Sequence, residues 1–272
     1  MSDPFSLDEF YDAYPRIEEQ FQTDLDASLS PRGPDFLFRL VSDFSIKPRA
    51  VALDVGCGEG ADTLRLADQF ELQVEGIDPV ERHIKIAAEA LEAKRGTLKG
   101  SVNFKLGRAE ALPVEDMSID LIWCRDVLSH IVSIESACAE FRRVLRDDGH
   151  AIVYQMFGTQ RLEPLEAEWL WKTMGVVPAS ADPVLVEQGF VDGGLRIAKR
   201  IVIGTEFGEW GEESSGKASR QLLHTARLLR SPDRYIAKFG KTAYEIMLGD
   251  CLWHVYGMIG KLSRRVYVLT RA

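Results

Sequence analysis

Gly56, Gly58 and Gly60 stand at alternate positions in Val51-Ala52-Leu53-Asp54-Val55-Gly56-Cys57-Gly58-Glu59-Gly60, directly after an apolar run from Ala50 to Val55. A short strand feeding a glycine-rich turn lets the backbone bend tightly and lets a ligand approach it with no Cβ in the way. Ala61 to Phe70 follows with Leu64, Ala67 and Phe70 about one turn apart, so the corner opens a helix. Two ligand classes use such a corner. A dinucleotide seats its pyrophosphate on the helix N-terminus, and its loose fingerprint is met with Ala61 in the last place. S-adenosylmethionine has no phosphate and carries a sulfonium cation. Asp54, Glu59 and Asp62 crowd this turn, and no basic residue appears before Arg65. Three carboxylates oppose a pyrophosphate and tolerate a cation. The plain alternative is an ordinary strand–helix corner.

Asp78 ends a second apolar run, Leu72 to Ile77. A carboxylate at that strand tip can take both ribose hydroxyls of an adenosine. Because it precedes Pro79, it can also cap a helix from Val80 to Arg95, and the two roles can coexist. Asp126 and His130 are four apart, which on one turn of helix points both the same way.

Placing these groups together takes a repeated strand–helix unit. Further strands are expected over Val102 to Leu106, Ile119 to Cys124 and Ala151 to Phe157. A helix capped by Ser133 presents Ile134, Ala137, Cys138, Phe141 and Leu145, and Asp147-Asp148-Gly149 is expected to turn. The alternation implies an α/β fold with a doubly wound, parallel sheet and right-handed crossovers. The segment Met1 to Ser30 interleaves acids with Phe5, Phe10, Tyr11, Tyr14 and Phe21. It reads either as a helix packed on the surface or as a lid over a small-molecule site. A short helix from Asp35 to Phe44 follows. Past Gly158, helices are expected over Pro164 to Met174, Pro183 to Gln188, Ala218 to Arg230 and Thr242 to Ile259, with strands over Leu195 to Phe207 and Arg265 to Thr270.

The chain has 272 residues, enough for one large α/β domain or a domain with an appendage. Its net charge of -9 argues against a sequence-independent grip on nucleic acid. No apolar run reaches membrane-spanning length and the first residues are too acidic for a signal peptide, so a cytoplasmic protein with no membrane partner is expected. Cys57, Cys124, Cys138 and Cys251 are scattered and read as free thiols, with no structural zinc.

Leu53 to Gly60, Gly76-Ile77-Asp78, Ala109-Glu110-Ala111-Leu112-Pro113, Asp120-Leu121-Ile122 and Phe141 to Gly149 together resemble the class I S-adenosylmethionine-dependent methyltransferases. The likeness covers roughly residues 50 to 157 and is greatest to the small-molecule branch that includes the ubiquinone-biosynthesis type. It implies a Rossmann-like, mostly parallel sheet of seven strands. The expected division is a helical lid at 1–45, a cofactor-binding core at 46–160, and the rest of the sheet with a helical substrate cover at 161–272. It implies that Asp54 and the glycine turn hold the methionine end, that Asp78 holds the ribose, that Ala109 and Glu110 flank the adenine, and that the Cys124 backbone faces the methionine amino group. The family usually carries an acid where Arg108 stands, so Glu110 or a backbone carbonyl must accept from the adenine amino group. The exit Trp123-Cys124-Arg125-Asp126 is not the Asn-Pro-Pro type that methylates base or amide nitrogens.

Arg125 to His130 also resembles the phosphoethanolamine N-methyltransferases, which add a tyrosine from an N-terminal lid. By that resemblance Asp126 anchors a cationic amine or orients His130, and His130 takes a proton with Tyr11 or Tyr14 as partner. The alternative is a His130 that merely packs. Arg125 is expected to pair with a carboxylate of cofactor or substrate. The expected activity is methylation of a small-molecule amine nitrogen, with S-adenosylhomocysteine as the second product. Trp210 and Trp253 suggest a bulky, partly apolar acceptor such as a secondary metabolite. The rivals are an O-methyltransferase with His130 as base, a non-catalytic S-adenosylmethionine-binding regulator, and a nicotinamide-dependent oxidoreductase.

Overall fold

A computed structural model describes residues 6–272; Met1 to Phe5 lie outside the described residues, so the reading of Phe5 has no structural counterpart. Strands β1 (Val51–Val55), β2 (Gln73–Asp78), β3 (Ser101–Leu106), β4 (Ile119–Arg125), β5 (Leu145–Gly158), β6 (Leu195–Ile203) and β7 (Leu262–Arg271) form one sheet in the order β3-β2-β1-β4-β5-β7-β6. β1 to β5 pair in parallel, and β7 runs antiparallel between β5 and β6. This is the expected doubly wound, mostly parallel architecture. Helix α1 is Leu7–Ala27, α2 Asp35–Ser42, α3 Ala61–Phe70, α4 Glu81–Ala93, α5 Ile134–Val144, α6 Pro164–Met174 and α7 Pro183–Asp192. Between β6 and β7 lie α8 (Glu206–Ser215), α9 (Lys217–Arg230), α10 (Pro232–Phe239) and α11 (Lys241–Met258).

β4 shows why the sheet forms. Ile122 and Cys124 face a core shared with Phe141 of α5 and Phe190 of α7, while Leu121 and Trp123 face one shared with Phe38 of α2 and Leu66 of α3. Both faces are buried, so the strand reads as a nearly unbroken apolar run. Each fully buried large apolar side chain contributes about 1.5–3 kcal/mol.

Several expectations change. Asp147-Asp148-Gly149 does not leave the sheet: β5 already begins at Leu145. Its register against β4 moves from Ile119↔Leu145 to Leu121↔His150, so the surplus residues bulge within the strand. β6 stops at Ile203, and Phe207 sits on α8. The Thr205 carbonyl accepts from Gly208 and Glu209, and its hydroxyl donates to Glu209, which turns the chain into that helix. α10 was not anticipated, although Pro232 at its first turn is a legible start signal. α2, expected with the lid, belongs to the core, with Leu37, Phe38, Leu40 and Val41 buried.

α1 opens with a reciprocal cap between Ser6 and Glu9. Leu7, Phe10, Tyr14, Ile17, Phe21 and Leu25 recur every three or four residues and so share one stripe, yet every one is exposed. The chain is next tied down at α8, where the Ser30 amide donates to Glu209 and Arg32 pairs with Glu206. No helix among the described residues is long and apolar enough to cross a membrane.

Candidate active site

Strand order reverses between β1 and β4, and the crevice outside the carboxyl ends there is where open α/β sheets bind ligands. The glycine turn occupies that crevice. Gly56, Gly58 and Gly60 all have left-handed backbones, at φ 72°, 52° and 84°. Their reasons differ. A Cβ on Gly56 would meet Val127 at 2.2 Å and one on Gly60 would meet Phe104 at 2.6 Å, whereas one on Gly58 would meet nothing within 4 Å. Two glycines therefore admit neighbouring protein, and only Gly58 leaves a face open to a ligand. The amides of Gly56 and Cys57 donate to the Ile77 carbonyl and lock the turn onto β2.

Asp78 is 6% exposed. Its Oδ2 accepts from the Gly58 amide at 3.0 Å, and its Oδ1 accepts from the Val80 amide at 2.9 Å and lies 3.1 Å from His83 Nδ1. Val80 itself occupies the cap of α4, without a side-chain bond, so Asp78 braces the turn rather than capping the helix. A carboxylate has about four lone-pair positions, which leaves capacity toward the crevice. His83 was not singled out from the sequence; it lies in the first turn of α4, five residues past Asp78, and only the fold shows that its ring returns.

Asp54 is placed differently from expectation. It lies behind the turn, 3% exposed, and accepts the Thr63 hydroxyl proton at 2.5 Å. Burial pushes its pKa up to about 7; the Thr63 bond pulls the other way and the charge of Asp62 adds to the rise. It does not line the cavity, and its bond to Thr63 ties α3 to β1. Arg125 has a protein partner as well. It pairs with Asp62 at 3.1 Å, and Trp123 Nε1 donates to the same carboxylate at 3.1 Å. Its carboxylate partners are thus the protein's own. The Cys124 side chain is buried in the core, where burial raises its thiol pKa well above the usual value.

A cavity of about 460 Å³ remains, with Gly56, Asp78, His83, Glu110, Asp126 and His130 in its wall. Arg108 and Ala109 line it as well. Glu110 Oε2 is buried there with no hydrogen-bond partner. The residues expected to flank an adenine thus stand in the cavity wall, and one of them keeps a carboxylate oxygen that no protein donor satisfies.

Asp126 and His130 reach the same cavity by another route than a helical turn. Asp126 has φ 58° and its amide donates to the Tyr154 carbonyl, so no α-helix can start on it; Leu128–His130 is a single 3-10 turn. His130 Nδ1 lies 2.8 Å from the Gly175 carbonyl at the end of α6. A carbonyl only accepts, so Nδ1 carries the proton and Nε2 the lone pair. The Asp126 side chain is half exposed and lines the cavity. Burial pushes its pKa up to about 6, against the pull of Arg125, Arg264 and His130. Above about pH 6 it is ionised.

Tyr11 and Tyr14 do not join this group. Both are exposed on α1, where Phe10 stacks on Tyr14 and meets Tyr11 edge-on. Trp253 of α11 packs edge-on against Trp171 of α6, while Trp210 lines a separate cavity.

Residues 53–153 match the methyltransferase domain family. Phosphoethanolamine N-methyltransferase 2 of Caenorhabditis elegans is 29% identical over 131 residues, which is 48% of this chain and 29% of that protein. An O-methyltransferase of Penicillium expansum is 32% identical over 37% of this chain and 36% of its own length. The match thus spans about a third of these curated relatives. Among solved structures, a Haemonchus contortus phosphoethanolamine N-methyltransferase bound to phosphomonomethylethanolamine and S-adenosylhomocysteine superposes with a TM-score of 0.66. It is 18% identical over 89% of this chain and 53% of that one.

Proposed function

We propose that this chain, which carries a class I S-adenosylmethionine-dependent methyltransferase domain on the corresponding fold, moves a methyl group from S-adenosylmethionine to a small-molecule acceptor. One observation carries the reading: Gly56 of the glycine turn, Asp78 and Glu110, whose carboxylate keeps an oxygen without a protein partner, stand in the wall of one cavity. Asp78 would take the ribose hydroxyls and Glu110 the adenine amino group. The carboxylates around the turn favour a sulfonium over a pyrophosphate. S-adenosylmethionine supplies a methyl group already activated by its sulfonium. The chain's part is then to align the acceptor and to exclude water. Calorimetric titration with S-adenosylmethionine and with NAD tests the cofactor: binding of NAD alone would overturn the reading. Turnover is tested by product mass against a panel of amines and phenols; tight binding with no product from any acceptor would favour a non-catalytic regulator.

For the acceptor we propose an amine nitrogen. Asp126 supports it, as a carboxylate in the cavity wall that is ionised at neutral pH and can stabilise the positive charge that grows on a free amine as it takes the methyl group. The N-methyltransferase relative supports it too. A second reading, a hydroxyl acceptor, is favoured by the His130 tautomer, which leaves Nε2 able to take a proton.

Asp78→Ala is expected to weaken S-adenosylmethionine binding by about 1.5–3 kcal/mol, the usual loss for hydrogen bonds to a charged group. The mutant should stay folded, because the residue sits at a strand tip. Calorimetry on the folded mutant checks this, and an unchanged dissociation constant would remove Asp78 from the ribose site.

α1 is proposed as a lid. It carries an unpartnered apolar stripe and is tethered at α8 beside the cover helices. Its amides are expected to exchange fast without ligand and to become protected with S-adenosylhomocysteine and acceptor, because a dry site must open to exchange products. Hydrogen exchange that is equal in both states would leave α1 a surface helix.

A further inference from the structure

A carboxylate offers about four lone-pair positions, two on each oxygen. At Asp78 most of them are taken. Oδ1 accepts from the Val80 amide at 2.9 Å and lies 3.1 Å from His83 Nδ1, and Oδ2 accepts from the Gly58 amide at 3.0 Å. One position is left, on Oδ2. A ribose brings two hydroxyls, so the second needs another acceptor. The cavity wall holds several, but of its side chains only His83 bonds to Asp78. Hydroxyls on adjacent carbons need acceptors that are themselves adjacent. The His83 ring also has the right tautomer. A carboxylate only accepts, so the proton is on Nδ1 and the lone pair on Nε2. Among the described residues Nε2 has no protein partner, and it is not buried: the side chain is 31% exposed and stands in the wall of the same cavity as Asp78. The mount is firm, because the His83 amide donates to the Val80 carbonyl at 2.9 Å while the Val80 amide is held by Asp78.

We propose that His83 is a cofactor-binding residue: its Nε2 accepts one ribose hydroxyl of S-adenosylmethionine, and the open position of Asp78 accepts the other. The inference rests on the ribose role proposed for Asp78 and divides its two hydroxyls between two residues. The shares are unequal. A hydroxyl on the charged carboxylate is worth roughly tenfold to a hundredfold in affinity, and one on the neutral imidazole roughly three- to tenfold.

The test is calorimetry on the full chain with S-adenosylhomocysteine and its 2′-deoxy and 3′-deoxy analogues. Both analogues should bind the wild type more weakly than the parent, one by the larger factor and one by the smaller. His83→Asn keeps an N–H where Nδ1 stands, and so the brace on Asp78, but removes Nε2. In this variant the parent should lose the smaller factor. The analogue that lacks the corresponding hydroxyl should then bind within twofold of the parent, while the other analogue stays at least tenfold weaker. His83→Phe removes the brace as well, so the factor for the remaining hydroxyl should shrink too. His83 lies partly exposed in the first turn of α4, and circular dichroism checks that both variants fold. A loss in His83→Asn that is equal for all three ligands would make His83 a brace only and overturn the proposal. Full wild-type factors for both hydroxyls in His83→Asn would overturn it as well. If neither analogue is weaker than the parent in the wild type, the ribose role of Asp78 itself falls, and the proposal with it.

Discussion

Gly58→Val should leave a folded protein that no longer binds S-adenosylmethionine. Gly58 has φ 52°, where a residue with a Cβ is strained by roughly 1–2 kcal/mol, and a β-branched one by more. Its Cβ would point into open space rather than into protein, so the fold can absorb the change, but the added side chain would fill the space beside Asp78 where the cofactor is proposed to lie. The amide of Gly58 also donates to Asp78, and shifting the turn would loosen that bond, worth about 1.5–3 kcal/mol to a charged acceptor. Together these predict a loss of at least about a hundredfold in affinity, at roughly 1.4 kcal/mol per factor of ten. Gly56→Val and Gly60→Val make the contrast. Their side chains would strike Val127 and Phe104, so they should lower the melting temperature rather than act on binding alone. Circular dichroism and calorimetry on the three variants separate the cases. Normal binding by folded Gly58→Val would place the cofactor elsewhere.

That contrast also marks how far the sequence could be read. Three alternate glycines signal a tight turn, and the buried strands around it announce themselves as apolar runs, so the sheet and its reversal point were legible. Which glycine faces a ligand depends on Val127 and Phe104, which approach from other elements. The same limit explains Asp54 and Arg125. Both stand in the expected motif, but their partners Thr63 and Asp62 lie on α3, and only the packed helix shows that each is turned toward protein. A spacing of four between Asp126 and His130 suggested a helical turn. The left-handed backbone at Asp126 forbids it, and the bond that fixes the His130 ring comes from Gly175, 45 residues on. His83 and Glu110 Oε2 differ in kind: the first gains a neighbour through the fold and the second lacks one, which no local pattern records.

His130→Ala, followed against pH beside Asp126→Asn, decides the class of acceptor. The Gly175 carbonyl holds the imidazole with its lone pair on Nε2, in the wall of the cofactor cavity. If the acceptor is a hydroxyl, its proton must leave near the transition state and His130 is the group placed to take it. The turnover number of His130→Ala should then fall by about 10²–10⁴-fold at neutral pH and recover in part at high pH, where the hydroxyl ionises unaided. If the acceptor is an amine, its free base already presents the attacking lone pair. The loss should then be nearer tenfold and should track the amine's own ionisation. Asp126→Asn should be the more damaging change in that case, mainly through a raised Michaelis constant, because it removes the countercharge. The direction with pH follows from Asp126 itself. Burial raises its pKa to about 6, so its charge is present above that value and fades below it. Any wild-type advantage over Asp126→Asn should therefore grow as pH rises through 6 and level off above. The amine reading expects that rise together with a mild His130→Ala. A large loss in His130→Ala with a nearly silent Asp126→Asn would assign the acceptor to a hydroxyl and leave Asp126 to hold Arg125 and Arg264 in place.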